Sequence, residues 1–134
     1  MSTVKTNTLT GTTTAGSISV TGEGNSTTTN LQQGLTKVWH NFDGQSTVAT
    51  RDSLNVSGLT DNGTGDYTSA FTNNMANDDY SSAVGADSDS GHLGLIYGDT
   101  NTLTSSFRSY VIEVYSSGAT DTDVIVFQSV GDLA

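Results

Sequence analysis

The stretch KVWHNF, residues 37–42, decides the fold because its side chains alternate strictly between two faces. Val38, His40 and Phe42 fall on one face of an extended chain, and the residues between them fall on the other. A period of two over six residues predicts a half-buried β-strand. We therefore expect the surrounding sequence to supply partner strands.

Short segments with the same character follow, separated by turn residues. They are STVATRDS, LNVSGL, TDNGTGDYTSAF, DYSSAVGA, HLGLIYG, SFRSYVIEVYS and DVIVFQSV. Asn62-Gly63 is a tight-turn signal, and the strand after it should carry Tyr67 and Phe71 on one face. The nearly continuous apolar runs YVIEVY and VIVF predict central strands covered on both sides. Seven or eight such strands predict an antiparallel, jelly-roll-like β-sandwich over residues 37–134.

Composition supports an all-β chain and narrows the classes of function. Thr, Ser, Gly and Asn make up 66 of 134 residues, which excludes long helices. The net charge is -10 and there are only four basic residues, so a nucleic-acid partner is not expected. There is no cysteine, and no apolar run approaches the roughly 18 residues that a membrane span needs. From the N-terminal sequence we expect neither Sec export nor membrane insertion.

Residues 1–36 form a different kind of segment, which we interpret as an arm for association and attachment. Its first 21 residues predict two very short strands with few apolar side chains. Such a segment does not offset the roughly 1 to 2 kcal/mol per residue of backbone entropy that is lost on ordering. We expect it to order when identical copies wrap around one another.

The stretch GEGNSTTTNLQQGL, residues 22–35, should contain one helical turn capped by Thr29 or Asn30. Leu31 and Leu35 then share a face. Two interpretations remain open: three copies bring these leucines together on a symmetry axis, or the turn packs on its own sandwich domain.

The sequence contains few candidates for metal-binding or catalytic residues. His40 and His92 are the only histidines, and a lone histidine in a strand is usually a packed or surface residue. The run Asp87–Gly91 departs from the calcium-loop pattern in the placement of its glycine and is read as a hairpin tip. We predict no metal, no cofactor and no enzymatic activity, since no catalytic motif is present.

Aromatic side chains offer the remaining candidate site. Trp39 is predicted to serve association together with Leu31 and Leu35, from a position in the core or at an interface. Aromatic faces also stack on sugars, so Trp39, Tyr67 and Tyr97 are candidate glycan contacts.

The middle of the chain also carries a resemblance. EGNSTTTNLQQGLTKVWHNFDGQSTVATRDSLNVSGLTDNGTGDYTSAFTNNM, residues 23–75, resembles a segment that recurs in tail-fibre and other virion proteins of tailed bacteriophages, particularly marine and cyanobacterial phages. The matching positions are Leu31 to Leu35, Lys37, Trp39, Asn41, Phe42, Gly44, Val48, Arg51, Asp52, Ser53, Asn55, Val56, Ser57, Thr60 to Thr68, Phe71, Thr72 and Met75. His40 and Thr50 depart from the pattern, because small or β-branched apolar residues are commoner there. The short length is a further departure, since a full-sized fibre has a shaft or adaptor.

The resemblance implies a virion structural protein, a fibre-type homotrimer with no catalytic residues to carry over. Its expected partners are other virion proteins, contacted through the N-terminal arm, and a host surface glycan. The expected location is an external appendage of the virion, on the tail or on the head. A capsid decoration or spike protein is the alternative within the same class, and a lectin-like receptor-recognition module is the alternative from another class.

Overall fold

The computed structural model describes residues 3–14, 16–87 and 91–134. The chain forms two compact units, Met1–Leu35 and Thr36–Ala134. The predicted all-β sandwich class is confirmed, because the described residues form eleven strands and only one helical element, a 3-10 turn at Asp99–Asn101. Residues 88–90 of the predicted hairpin tip lie outside the described part of the chain.

The first unit is a small hairpin in which β1 (Ser19–Thr21) pairs antiparallel with β2 (Thr28–Asn30). The single turn expected after it is present, because residues 31–34 form a hydrogen-bonded turn in which the Gly34 N–H bonds the Asn30 carbonyl oxygen at 3.3 Å, but the turn is not part of a helix. Asn30 does cap this turn, since its Oδ1 accepts a hydrogen bond from the backbone N–H of Gln32 at 2.8 Å. None of the described residues in this unit is fully buried.

The second unit is a sandwich of two antiparallel sheets. The first sheet has the order β4-β3-β11-β7, and the second has the order β5-β6-β10-β8, with the short β9 also paired to β10. The bounds are β3 Thr36–Asp43, β4 Ala49–Leu54, β5 Val56–Gly63, β6 Asp66–Phe71, β7 Ser81–Ala86, β8 His92–Ile96, β9 Thr102–Leu103, β10 Ser106–Glu113 and β11 Ile125–Val130. Each segment predicted as a strand within residues 37–134 therefore contains one, whereas residues 3–14 and 16–21 contain only β1 and not the two short strands predicted for residues 1–21.

The core lies between the sheets and follows the predicted alternation. Val38, His40 and Phe42 are buried on the inner face of β3, as KVWHNF predicts. Across the sandwich, Phe107 of β10 stacks on Phe127 of β11 with ring centroids 4.8 Å apart. Such an aromatic pair contributes beyond the apolar area that it buries.

The two most apolar strands, β10 and β11, hold interior positions in their sheets, so the prediction of central strands is confirmed. The prediction that both faces of these strands are covered is wrong for the described residues. β11 alternates between buried and exposed residues, and Val126 is 40% exposed while Val130 is 37% exposed. The outer face of the first sheet therefore presents apolar side chains to solvent.

A buried polar link joins the two sheets at His40. The His40 ring Nδ1 lies 2.8 Å from Ser69 Oγ on β6, and Nε2 lies 2.8 Å from Thr50 Oγ1 on β4. A register shift in the pairing of β3 with β4 leaves Arg51 as the extra residue of a bulge and turns Thr50 toward His40. The two positions that depart from the phage pattern, His40 and Thr50, are thus bonded to each other.

The β5–β6 turn lies just beyond Asn62-Gly63, where the sequence indicated it, and it requires a second glycine in addition to Gly63, which has a φ of 126°. β5 continues through Asn62 to Gly63, and the turn occupies residues 64 and 65. Gly65 has a φ of 68°, and a Cβ there would lie 2.5 Å from the carbonyl oxygen of Val111. Both the left-handed backbone and the close approach require glycine at position 65.

Candidate functional site

A shallow groove of about 420 Å³ lies on the outer face of the first sheet. Trp39 and Asn41 of β3, Val126 and Gln128 of β11, and Ala83 and Gly85 of β7 contribute to its lining. We call it the Trp39 groove. It arises because β11 lies between β3 and β7, so that outward-facing residues of three strands meet.

Asn41 is the unusual polar residue of the Trp39 groove. Among the described residues its Oδ1 is the one buried side-chain oxygen without a hydrogen-bond partner. A buried acceptor left unpaired costs about 1 to 3 kcal/mol. The groove therefore contains an acceptor whose hydrogen bond the described chain does not supply.

Sequence reasoning identified Trp39 but missed its neighbours in the groove. Alternation in DVIVFQSV does place Val126 and Gln128 outward, and DYSSAVGA does supply small residues at 83 and 85. The missing information was which strands are neighbours, because the pairing of β11 with both β3 and β7 is set by tertiary structure.

Tyr67 was predicted as a glycan contact, and this prediction is wrong. The Tyr67 side chain is 0% exposed. Its hydroxyl lies 2.8 Å from both the Gly44 carbonyl oxygen and Asp121 Oδ1, and its ring packs edge-on against Phe42. Burial and the hydrogen bond to Asp121 raise the pKa of the Tyr67 hydroxyl well above 10. Tyr67 is a core residue that joins the turns at one end of the sandwich.

Tyr97, the third predicted glycan contact, is 37% exposed, but it directly follows β8 and its backbone N–H bonds the Arg108 carbonyl oxygen of β10, in the other sheet. The Arg108 guanidinium carbon lies 4.4 Å from the centre of its ring, in cation–π geometry. Arg108 also binds Asp66 through two hydrogen bonds, of 2.7 and 2.5 Å, which raise the pKa of Arg108. Trp39 and Tyr97 therefore lie on opposite sheets and do not form one site.

A second polar cluster lies at Asp87, next to the predicted hairpin tip. Asp87 Oδ1 lies 3.1 Å from His92 Nδ1, and Asp87 Oδ2 accepts a 2.7 Å hydrogen bond from Thr122. A hydrogen bond with Asp87 raises the pKa of the neighbouring Asp123 carboxyl. In residues 3–14, 16–87 and 91–134, no group of three or more His, Cys, Asp or Glu side chains has the geometry to hold a metal ion.

The predicted association residues differ in exposure. Leu31 is half-buried and Leu35 is 47% exposed, both in the first unit. Trp39 is half-buried on the sandwich. Leu35 is therefore available for contact with another chain, and whether it makes that contact stays a prediction.

Comparison of the chain with protein-family models, curated proteins and solved structures finds no match. Within the described residues, no helix is long and apolar enough to cross a membrane.

Proposed function

We propose that the chain is a structural subunit of a phage virion, a fibre-type appendage that works as a homotrimer. The carrying observation is the first unit. It holds one hairpin with three residues in each strand, and several of its apolar side chains are exposed to solvent, with Val4 83% and Leu9 57% exposed. A segment with so little buried surface gains order from neighbouring chains.

The two units have different roles in the proposed function. Residues of the first unit carry trimer association and attachment to other virion proteins, and the sandwich is the outward-facing part. The resemblance of residues 23–75 to phage virion segments supports the virion assignment. A capsid decoration or spike protein would use the same chemistry, and antibody labelling of intact particles in the electron microscope separates a head location from a tail location.

The solution mass tests the proposed assembly. The purified chain should have a mass three times 13.9 kDa by light scattering after size exclusion, and this mass should persist on dilution. A mass of 13.9 kDa at every concentration would contradict the trimer.

Introducing a charged side chain into the first unit should dissociate the proposed trimer. Leu35→Asp and Leu31→Asp each place a carboxylate where apolar side chains of three chains are proposed to meet, and burying an unpaired charge is strongly unfavourable. We expect the mass of either variant to shift to the monomer at micromolar concentration, while circular dichroism still shows the folded sandwich.

Leu93→Asp is the matched control, because Leu93 is exposed to a similar extent, 46%, but lies on β8 of the sandwich. It should leave the trimer intact. If Leu35→Asp and Leu31→Asp remain trimeric, the first unit does not hold the trimer together.

A further inference from the structure

The Trp39 groove has a stepped cross-section that follows from strand register. Gln128 of β11 pairs with Trp39 on one side and with Ala83 on the other. One row along, Val126 pairs with Asn41 and with Gly85. The residues of β7, Ala83 and Gly85, therefore have smaller side chains than their neighbours on β3 and β11, and Trp39 borders a groove that is open along β7.

A second depression extends the groove. It has a volume of about 140 Å³, and Ser81 and Val130 line it together with Ala83 and Gln128, which also line the first. At about 3.3 Å per strand residue, the length from Ser81 to Gly85 is roughly 13 Å. The space is long and shallow, and it runs along β7 and β11, which fits a short chain of linked rings better than a single compact ligand.

The chemistry of the lining restricts the ligand. Neither depression is lined by a charged residue, although the chain carries a net charge of -10. The lining combines an indole and valine side chains with the amides of Asn41 and Gln128. Apolar surface with a few neutral hydrogen-bonding groups favours an uncharged ligand that has both an apolar face and hydroxyl groups.

Asn41 offers the most specific hydrogen-bonding group of the groove. Its Oδ1 is buried and has no hydrogen-bond partner among the described residues, and an unpaired buried acceptor is unfavourable. A rotation of the Asn41 amide toward a ligand hydroxyl gives up no existing bond of that oxygen and gains one.

We propose that the Trp39 groove binds an uncharged oligosaccharide. Trp39 stacks on the apolar face of one sugar ring, Asn41 Oδ1 turns to accept a hydrogen bond from a hydroxyl group, and Gln128 bonds a neighbouring hydroxyl. Ala83 and Gly85 leave room for the chain along β7. This site would give the proposed appendage a specific means of adhesion. The proposal rests on the proposed function only for the source of the saccharide, which would be a host cell surface.

Trp39 is the only tryptophan, so its fluorescence reports on this groove alone. The full chain is titrated with neutral trisaccharides (maltotriose, cellotriose, mannotriose and tri-N-acetylchitotriose) and with trigalacturonate as an anionic control. We expect saturable changes in Trp39 emission with at least one neutral trisaccharide and none with the anionic one. A panel without any saturable change overturns the proposal.

Variants then locate the binding site. Asn41→Leu removes the unpaired oxygen, so it should weaken binding about tenfold, the value of one hydrogen bond, while the melting temperature is kept or raised. Tyr97→Ala removes an exposed aromatic ring from the opposite sheet and should leave binding unchanged. Equal affinity of Asn41→Leu and the parent chain, or loss of binding in Tyr97→Ala, would place the saccharide elsewhere and overturn the proposal.

The solution mass separates this proposal from the proposed trimer. The Trp39→Ala variant should no longer bind the saccharide, as measured by calorimetry. Its mass in solution should equal that of the parent chain. If Trp39→Ala instead changes the mass and the parent chain binds no trisaccharide, the groove is a contact between subunits. A monomer that binds the trisaccharide contradicts the trimer and leaves the groove proposal standing.

Discussion

Phe127→Ala should lower the free energy of unfolding by about 3–5 kcal/mol, the usual cost of removing a buried aromatic ring. Phe127 is 3% exposed and stacks on Phe107 of the opposite sheet. It also meets the His40 ring edge-on, with centroids 6.0 Å apart. The substitution therefore leaves a cavity where the two sheets meet.

Val126→Ala is the matched control on the same strand. Val126 is 40% exposed on the outer face, so its truncation should cost less than about 1 kcal/mol. Urea denaturation followed by circular dichroism measures both values. Similar losses for the two variants would mean that the outer face of β11 is as well covered as the core.

Acidification should destabilise the sandwich through His40. Burial lowers the pKa of His40 from 6.5 to about 4. As the pH falls below 6.5 the unfolded chain takes up a proton that the folded chain excludes, so stability falls until the pH reaches about 4. At about 1.36 kcal/mol per pKa unit, the loss between pH 8 and pH 5 is roughly 2 kcal/mol.

The measurement is urea denaturation at pH 8, 6.5 and 5 for the parent chain and for His40→Gln. The variant keeps a hydrogen-bonding side chain but has no proton to bind in this range. Its stability should fall by about 2 kcal/mol less than that of the parent chain between pH 8 and pH 5. Equal losses in the two proteins would show that other groups account for the acid sensitivity.

Local pattern was enough to predict the strands of the sandwich. Alternation in KVWHNF placed Val38, His40 and Phe42 inside, and the apolar runs identified β10 and β11 as interior strands. Both inferences depend on the two-residue period of an extended chain, which any single strand displays.

Features set by neighbouring strands were not predictable in the same way. The Tyr67 ring was expected to reach a ligand, but its hydroxyl is bound at Gly44 and Asp121, which lie 23 and 54 residues away in sequence. The lining of the Trp39 groove likewise depends on β3, β11 and β7 being adjacent. A single sequence indicates which face of a strand a residue lies on, but not which residues of neighbouring strands it contacts.

The link from His40 to Thr50 and Ser69 has a consequence for how the chain finds its fold. Short strands that simply alternate apolar and polar side chains offer several alignments of similar quality, and a slip of one residue reverses every side chain. In the native alignment the buried imidazole has a hydroxyl on each ring nitrogen. A register that buried the ring without such partners would leave polar nitrogen atoms unpaired, so the His40 link favours the native register as the sheets close.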